Sequence, residues 1–158
     1  MRKQIIQEGT RRTPPTESKD WLDLKHLIQV ELTSEDAEHP IESALTMETE
    51  TGWRAQQSGK QTIRLMFDNP HRIKRIQLQF QEDERARTQE FVLRWSTGKE
   101  ESYREIVRQQ YNFSPPNNTR ELEDYVVDLD GLMILELSII PDISGGETHA
   151  SLAQLRLA

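Results

Sequence analysis

The chain of 158 residues contains no cysteine, so no disulfide staples it and no thiolate serves as nucleophile or metal ligand. Long apolar runs are missing too. Nothing approaches the ~18 residues of a membrane-spanning helix, and Met1-Arg2-Lys3-Gln4-Ile5-Ile6-Gln7-Glu8 has a charged pair without the apolar stretch of a signal peptide. The expected location is cytoplasmic. Aromatics make up only 6% and apolar residues 34%, against 30% charged, which suits a thin core with wet outer faces. A net charge of -7 argues against nucleic acid as a partner, because neutralising phosphates needs a basic surface.

Groups that would build an active site are equally scarce. His26, His39, His71 and His149 show no i, i+4 or His-x-His spacing, which disfavours zinc or a facial triad. There is no Gly-x-Ser-x-Gly elbow. Ser144-Gly145-Gly146 lacks the Lys and helix of a phosphate-binding loop. Pairs such as Glu35 and Asp36 read as solvation of an acidic loop rather than acid–base chemistry. The chain is expected not to be an enzyme.

What the sequence does have is alternation. Ile63, Leu65 and Phe67 alternate with polar or less apolar neighbours in Gln61–Phe67, and Ile76, Leu78 and Phe80 do so in Lys74–Phe80. Asp68-Asn69-Pro70 lies between them, and its turn chemistry predicts a β-hairpin central to the fold. Six basic residues between Arg54 and Arg75 (Arg54, Lys60, Arg64, Arg72, Lys74, Arg75) face one acid, Asp68. They read as the solvated outer face of that hairpin, with an anion site as the alternative.

Further strands are expected at Leu27–Leu32, Thr88–Ser96, Tyr103–Arg108, Leu122–Leu129, Leu132–Ile140 and Ser151–Leu157, with Asp130-Gly131 splitting the pair before Pro141. Asp20 caps a helical turn that places Trp21, Leu24 and Leu27 on the body, and Ile41–Met47 forms a second turn. Residues 1–20 read as a flexible extension: Gln4–Gln7 has the pattern of a short edge strand, and Gly9–Glu17 has linker composition. Residues 21–158 form one domain, an all-β jelly-roll sandwich of about eight antiparallel strands. A chain of this length buries roughly 68–70% of its unfolded surface.

Certain words carry a family likeness. Ser34-Glu35-Asp36 with Pro40–Leu45, then Trp53-Arg54-Ala55, Ile63–Phe67, Ile73–Ile76 and the closing Ser151–Leu157, resemble the discoidin family, also called the coagulation-factor C-type domain, of galactose-binding-like fold. Trp53-Arg54-Ala55 is similar to a divergent member, the amino-terminal domain of a DNA single-strand-break repair scaffold. The resemblance covers about Ile28 to Leu157. It implies a jelly roll that binds sugars, lipid head groups or proteins without transforming them, through loops gathered at one end. It also implies a structural calcium site fed by an Asp-Gly loop and a late Glu. This chain offers Glu50-Thr51-Gly52 and Gln154 there, so calcium is disfavoured and no cofactor is expected.

Four loops are expected to meet: Glu35–Gly52, Gln81–Arg87, Gln109–Arg120 and Pro141–Thr148. They offer His39, Arg85, Arg87, Tyr111, Asn112 and Asn117 as ligand-binding candidates, with Phe113 and Asn118 beside them: planar hydrogen-bonding groups and rings of the kind that hold sugars. For Arg85 and Arg87 the competing role is pairing with Glu82–Glu84; for Tyr111 and Phe113 it is anchoring their loop. The expected partner is carbohydrate or another protein. Membranes are disfavoured because the loops lack apolar spikes. An exposed apolar patch on a sheet face would favour the protein partner.

Overall fold

The computed structural model describes residues 21–46, 51–98 and 102–158. Eight strands are present among them: β1 (Ile28–Leu32), β2 (Trp53–Ser58), β3 (Gln61–Gln81), β4 (Arg87–Ser96), β5 (Arg104–Phe113), β6 (Arg120–Ile140), β7 (His149–Leu152) and β8 (Gln154–Leu157). A short helix, α1 (Glu42–Leu45), fulfils the expected turn and buries Ala44 and Leu45 beside Ile41. The other expected turn is a 3-10 turn at Leu24–His26, later than the sequence suggested, with Leu24 buried and Trp21 outside it. Residues 1–20, including Asp20 and the strand-like Gln4–Gln7, lie outside the described residues.

The central hairpin does not form. Residues 61–81 are one bent strand whose two halves pair with other strands instead of with each other. The first half, through Met66, lies between β1 and the second half of β6; the second half, from Arg75, lies between the first half of β6 and β8. β6 bends in step with it, so Asp130-Gly131 is a bend in a 21-residue strand and not a break between two. Three register shifts between Met66 and Arg75 absorb the bend, and Pro70 falls in that interval, where no ladder hydrogen bond is required of it. Gly131 takes φ +78°, a left-handed conformation that suits glycine.

The bend turns one hydrogen-bonded ribbon into two layers. Strand order is β1–β3–β6–β4–β5, with β8 added to β3, and a separate β2–β7 ribbon. Ile63, Leu65 and Phe67 from one half of β3 and Ile76, Leu78 and Phe80 from the other are all buried in a single core. The Phe80 ring lies 5.3 Å from that of Phe91 on β4, across the two layers. Burying such rings and branched chains contributes roughly 1.5–3 kcal/mol each.

Three of the six residues in the basic run identified in the sequence are committed to cross-strand pairs. Arg64 donates to Glu136 (2.9 Å) and Glu31 (3.4 Å), Arg72 to both oxygens of Asp128, and Arg75 to both oxygens of Asp124. Two boundaries differ from the sequence reading. β5 continues through Phe113, so Tyr111 and Asn112 stand on a strand and not in a loop, and β2 occupies a stretch for which the sequence predicts no strand. No helix among the described residues is long and apolar enough to cross a membrane.

Candidate functional site

The β2–β7 ribbon builds the floor of a groove. Trp53 pairs with Leu152, Arg54 with Ser151 and Ser58 with His149, and the ladder is irregular between Arg54 and Ser58. The Trp53 indole is buried and donates to the Ser34 carbonyl (3.1 Å). The Ser34 hydroxyl accepts from the Gln56 and Gln57 amides and donates to Gln61 (2.9 Å), tying β2 to the start of β3. Gly52 makes the entry possible. Its φ is +69°, and a Cβ there would stand 2.6 Å from the Leu152 carbonyl oxygen.

Two loops rise from this floor. In the first, the Asp36 amide donates to the Arg54 carbonyl and the Arg54 amide to the His39 carbonyl, clamping residues 36–39 against β2. The His39 imidazole lies 3.1 Å from the Asp36 carboxylate. Asp36 is held below the usual carboxylate range, first by the Glu38 amide and then by His39. In the second, Glu82 organises residues 81–87. Its carboxylate accepts from the Glu84 and Arg85 amides and from Arg87 Nε (2.7 Å). Burial pushes the Glu82 carboxyl up, but Arg87 and the two amides together bring it below its ordinary value.

Between the loops lie two adjoining hollows of about 280 and 230 Å³, which share Arg54, Gln81, Asp83 and Ser151. His39 lines the first; Arg85 and His149 line the second. The Arg85 guanidinium reaches only Thr148 Oγ1, at 3.5 Å. Trp53 is the one lining ring besides the two imidazoles, and it is 1% exposed, so the walls offer hydrogen-bonding groups in place of a flat aromatic platform.

Of the six candidates read from sequence, His39 and Arg85 come to this groove and four do not line it. Arg87 lies behind the wall with its side chain 1% exposed. It donates to the Pro141 carbonyl (2.7 Å) and Gln89 (3.1 Å), and its guanidinium sits 4.7 Å over the Phe113 ring. No face of it is left for a ligand. Tyr111 donates to the Arg120 carbonyl and packs edge-on against Phe113, while Asn112 accepts from the Thr88 hydroxyl (2.6 Å). Asn117 belongs to the Ser114–Asn118 turn, its amide donating to the Ser114 carbonyl. The sequence reading missed Arg54, Asp83, His149 and Ser151; Arg54 and Ser151 were visible in the quoted family words, but their pairing was not. For calcium, no three acidic or imidazole groups among the described residues come together to hold an ion, and Gln154 contributes no charge.

A sandwich with a loop-lined groove at the end of its bent ribbon defines the class: a galactose-binding-like β-sandwich. The family is narrower. The model of the F5/8 type C domain matches residues 29–130, about two thirds of the chain, and the chain belongs to that family. A search of curated proteins returns no match. Among solved structures, the chain resembles the CpGH89CBM32-5 module of Clostridium perfringens, in complex with GalNAc-beta-1,3-galactose, at 15% identity over 87% of this chain and 98% of that one (TM-score 0.65). A pectin-binding carbohydrate-binding module matches at 16% identity over 83% and 89% (TM-score 0.60). XRCC1, bound to the DNA pol beta catalytic domain, matches at 15% over 84% and 97% (TM-score 0.56). At these identities the likeness is one of fold.

Proposed function

We propose that the chain is a non-catalytic binding module that takes carbohydrate in the groove between residues 36–39, 51–54, 81–85 and 147–151. The observation that carries this reading is the groove itself, where Arg54, Gln81, Asp83, Arg85 and His149 converge on an open polar hollow. Hydroxyl-rich ligands are held by such planar donors and acceptors. The solved carbohydrate-binding modules of the same fold add support. Without an exposed ring to stack on, recognition rests on hydrogen bonds to the arginines and to the lining carboxylates Asp83, Glu84 and Glu147, which favours neutral, hydroxyl-rich sugars. The chemistry implied is capture; no bond is made or broken.

The experiment is a glycan array probed with the intact protein and with Arg54→Ala. The reading expects a defined set of saccharides retained by the parent and weakened at least about tenfold by the substitution, the loss of one charge-assisted hydrogen bond and its neighbours. Uniformly blank arrays for the parent would overturn it. A second reading, a protein-interaction scaffold of the same fold, is favoured by one observation: Leu122 and Val126 are 59% and 82% exposed on the first half of β6.

A further inference from the structure

A second hollow lies at the other end of β4 from the groove. β4 starts at Arg87, behind the groove wall, and reaches Trp95 about 25 Å further along at ordinary strand rise. Trp95 stands opposite Leu135 of β6 on one side and Arg104 of β5 on the other. Residues directly opposite share a face, and Leu135 is buried, so Trp95 closes the margin of the core. Its ring is half-buried: part of it packs on the core and part is left to solvent.

Beside that ring is a cavity of about 210 Å³, lined also by Ser96, Thr97, Ser102, Arg104 and Asp130. Its walls are fixed by the backbone. The buried Ser96 hydroxyl accepts from the Gly98 amide (2.9 Å), and a Cβ on Gly98 would stand 3.3 Å from that of Met133, so the turn after β4 rests directly on β6. Asp130 is presented by the bend of β6, next to Gly131 with its φ of +78°. Neither Arg104 nor Asp130 is hydrogen-bonded or ion-paired through its side chain among the described residues. The charges around them are already matched. Arg94 pairs with Glu136, Arg108 with Glu90 and Glu105, and Arg72 with Asp128, leaving Asp130 only as a more distant charge on Arg72.

The cavity therefore combines a flat ring, a free guanidinium, a free carboxylate and the hydroxyls of Thr97 and Ser102. A pyranose has the matching parts: a C–H face that packs on an indole and a rim of hydroxyls that both donate and accept. One positive and one negative group balance, which suits a neutral ligand. We propose that this hollow is a second saccharide site. It takes one neutral sugar ring, the C–H face on Trp95, with Asp130 accepting from its hydroxyls and Arg104 donating to them. The two ends of the sandwich then differ in kind, because the groove has no exposed ring. This site does not depend on the groove being occupied.

The test follows the indole N–H resonance of Trp95 in the labelled full-length protein, assigned through Trp95→Phe. The probes are methyl β-galactopyranoside, methyl β-glucopyranoside and methyl α-mannopyranoside, with glycine as a zwitterionic control. The expected result is a saturable shift of the Trp95 signal and of the Thr97 and Arg104 amides with at least one glycoside. Its dissociation constant should be unchanged in Arg54→Ala and at least about tenfold weaker in Asp130→Ala and Arg104→Ala, each of which removes a charge-assisted hydrogen bond. Both side chains are exposed, so the denaturant midpoints of these two variants should match the parent. A Trp95 signal silent to all three glycosides overturns the proposal. So do shifts that Asp130→Ala and Arg104→Ala leave at full strength, or shifts produced by glycine alone. Shifts lost in Arg54→Ala would assign them to the groove and also overturn it. Failure of the groove reading appears separately, at residues 36–39, 51–54, 81–85 and 147–151.

Discussion

Glu121 is the residue whose chemistry departs furthest from its type. It is 2% exposed, accepts from Gln89 through one carboxyl oxygen, and leaves the other without a donor. Burial, then the neighbouring Glu123 carboxyl, pushes it up to about 9, so it is protonated at neutral pH and can donate toward Glu123. Glu123 in turn accepts from the Tyr125 hydroxyl (2.6 Å). The sign follows from linkage. Unfolding releases the proton anywhere between the ordinary carboxyl value and about 9, so the contribution is complete in acid and is lost as pH climbs toward 9. Urea denaturation at pH 6, 7.5 and 9 should show the parent weakening relative to Glu121→Gln as pH rises; parallel behaviour of the two would contradict a buried neutral acid. Arg87 gives a second prediction. Removing it strands the Pro141 carbonyl, Gln89 and the partly buried Glu82, so Arg87→Ala should cost about 3–5 kcal/mol in the same assay. An unchanged midpoint would mean that the buried ion pair is not formed. This residue was read as a ligand contact because planar cations in a charged loop look alike whether they face solvent or core.

At the scale of elements, alternation was readable and pairing was not. The runs Gln61–Phe67 and Lys74–Phe80 have the predicted faces, since a period of two depends only on the strand's own residues. Which strand they bond to depends on residues 120–140, some sixty positions away, so a turn-rich centre suggested a hairpin where a bent strand exists. β2 and the last five residues of β5, Gln109–Phe113, were missed because Gln, Ser and Asn dominate them and leave little alternation to read. Two glycines show where the backbone is decisive. Gly131→Ala meets nothing closer than Thr97 Cγ2 at 3.9 Å, so only its positive φ opposes the change, about 1–2 kcal/mol. Gly52→Ala adds a 2.6 Å clash with the Leu152 carbonyl and should cost clearly more in denaturant midpoint. Equal costs would place the β2–β7 junction more loosely than described.

For the whole molecule, the bend in β3 and β6 makes one ribbon serve both layers, and the β2–β7 ribbon and two loops then form the groove at one end. The fold was therefore legible from strand count and the family words. The groove was only half so: His39 and Arg85 were found from residue type, while Arg54, His149 and Ser151 meet only through the pairing of β2 with β7. Loop residues are chosen for a ligand, and their convergence is set by strands distant in sequence.

Amide NMR titration of the labelled full-length protein with simple and uronic saccharides tests the groove most directly. Apart from the separate site at Trp95, the account predicts shifts confined to residues 36–39, 51–54, 81–85 and 147–151, with Tyr111, Asn112 and Asn117 silent. Shifts centred on 109–118, or none with any saccharide that the array retains, would contradict it.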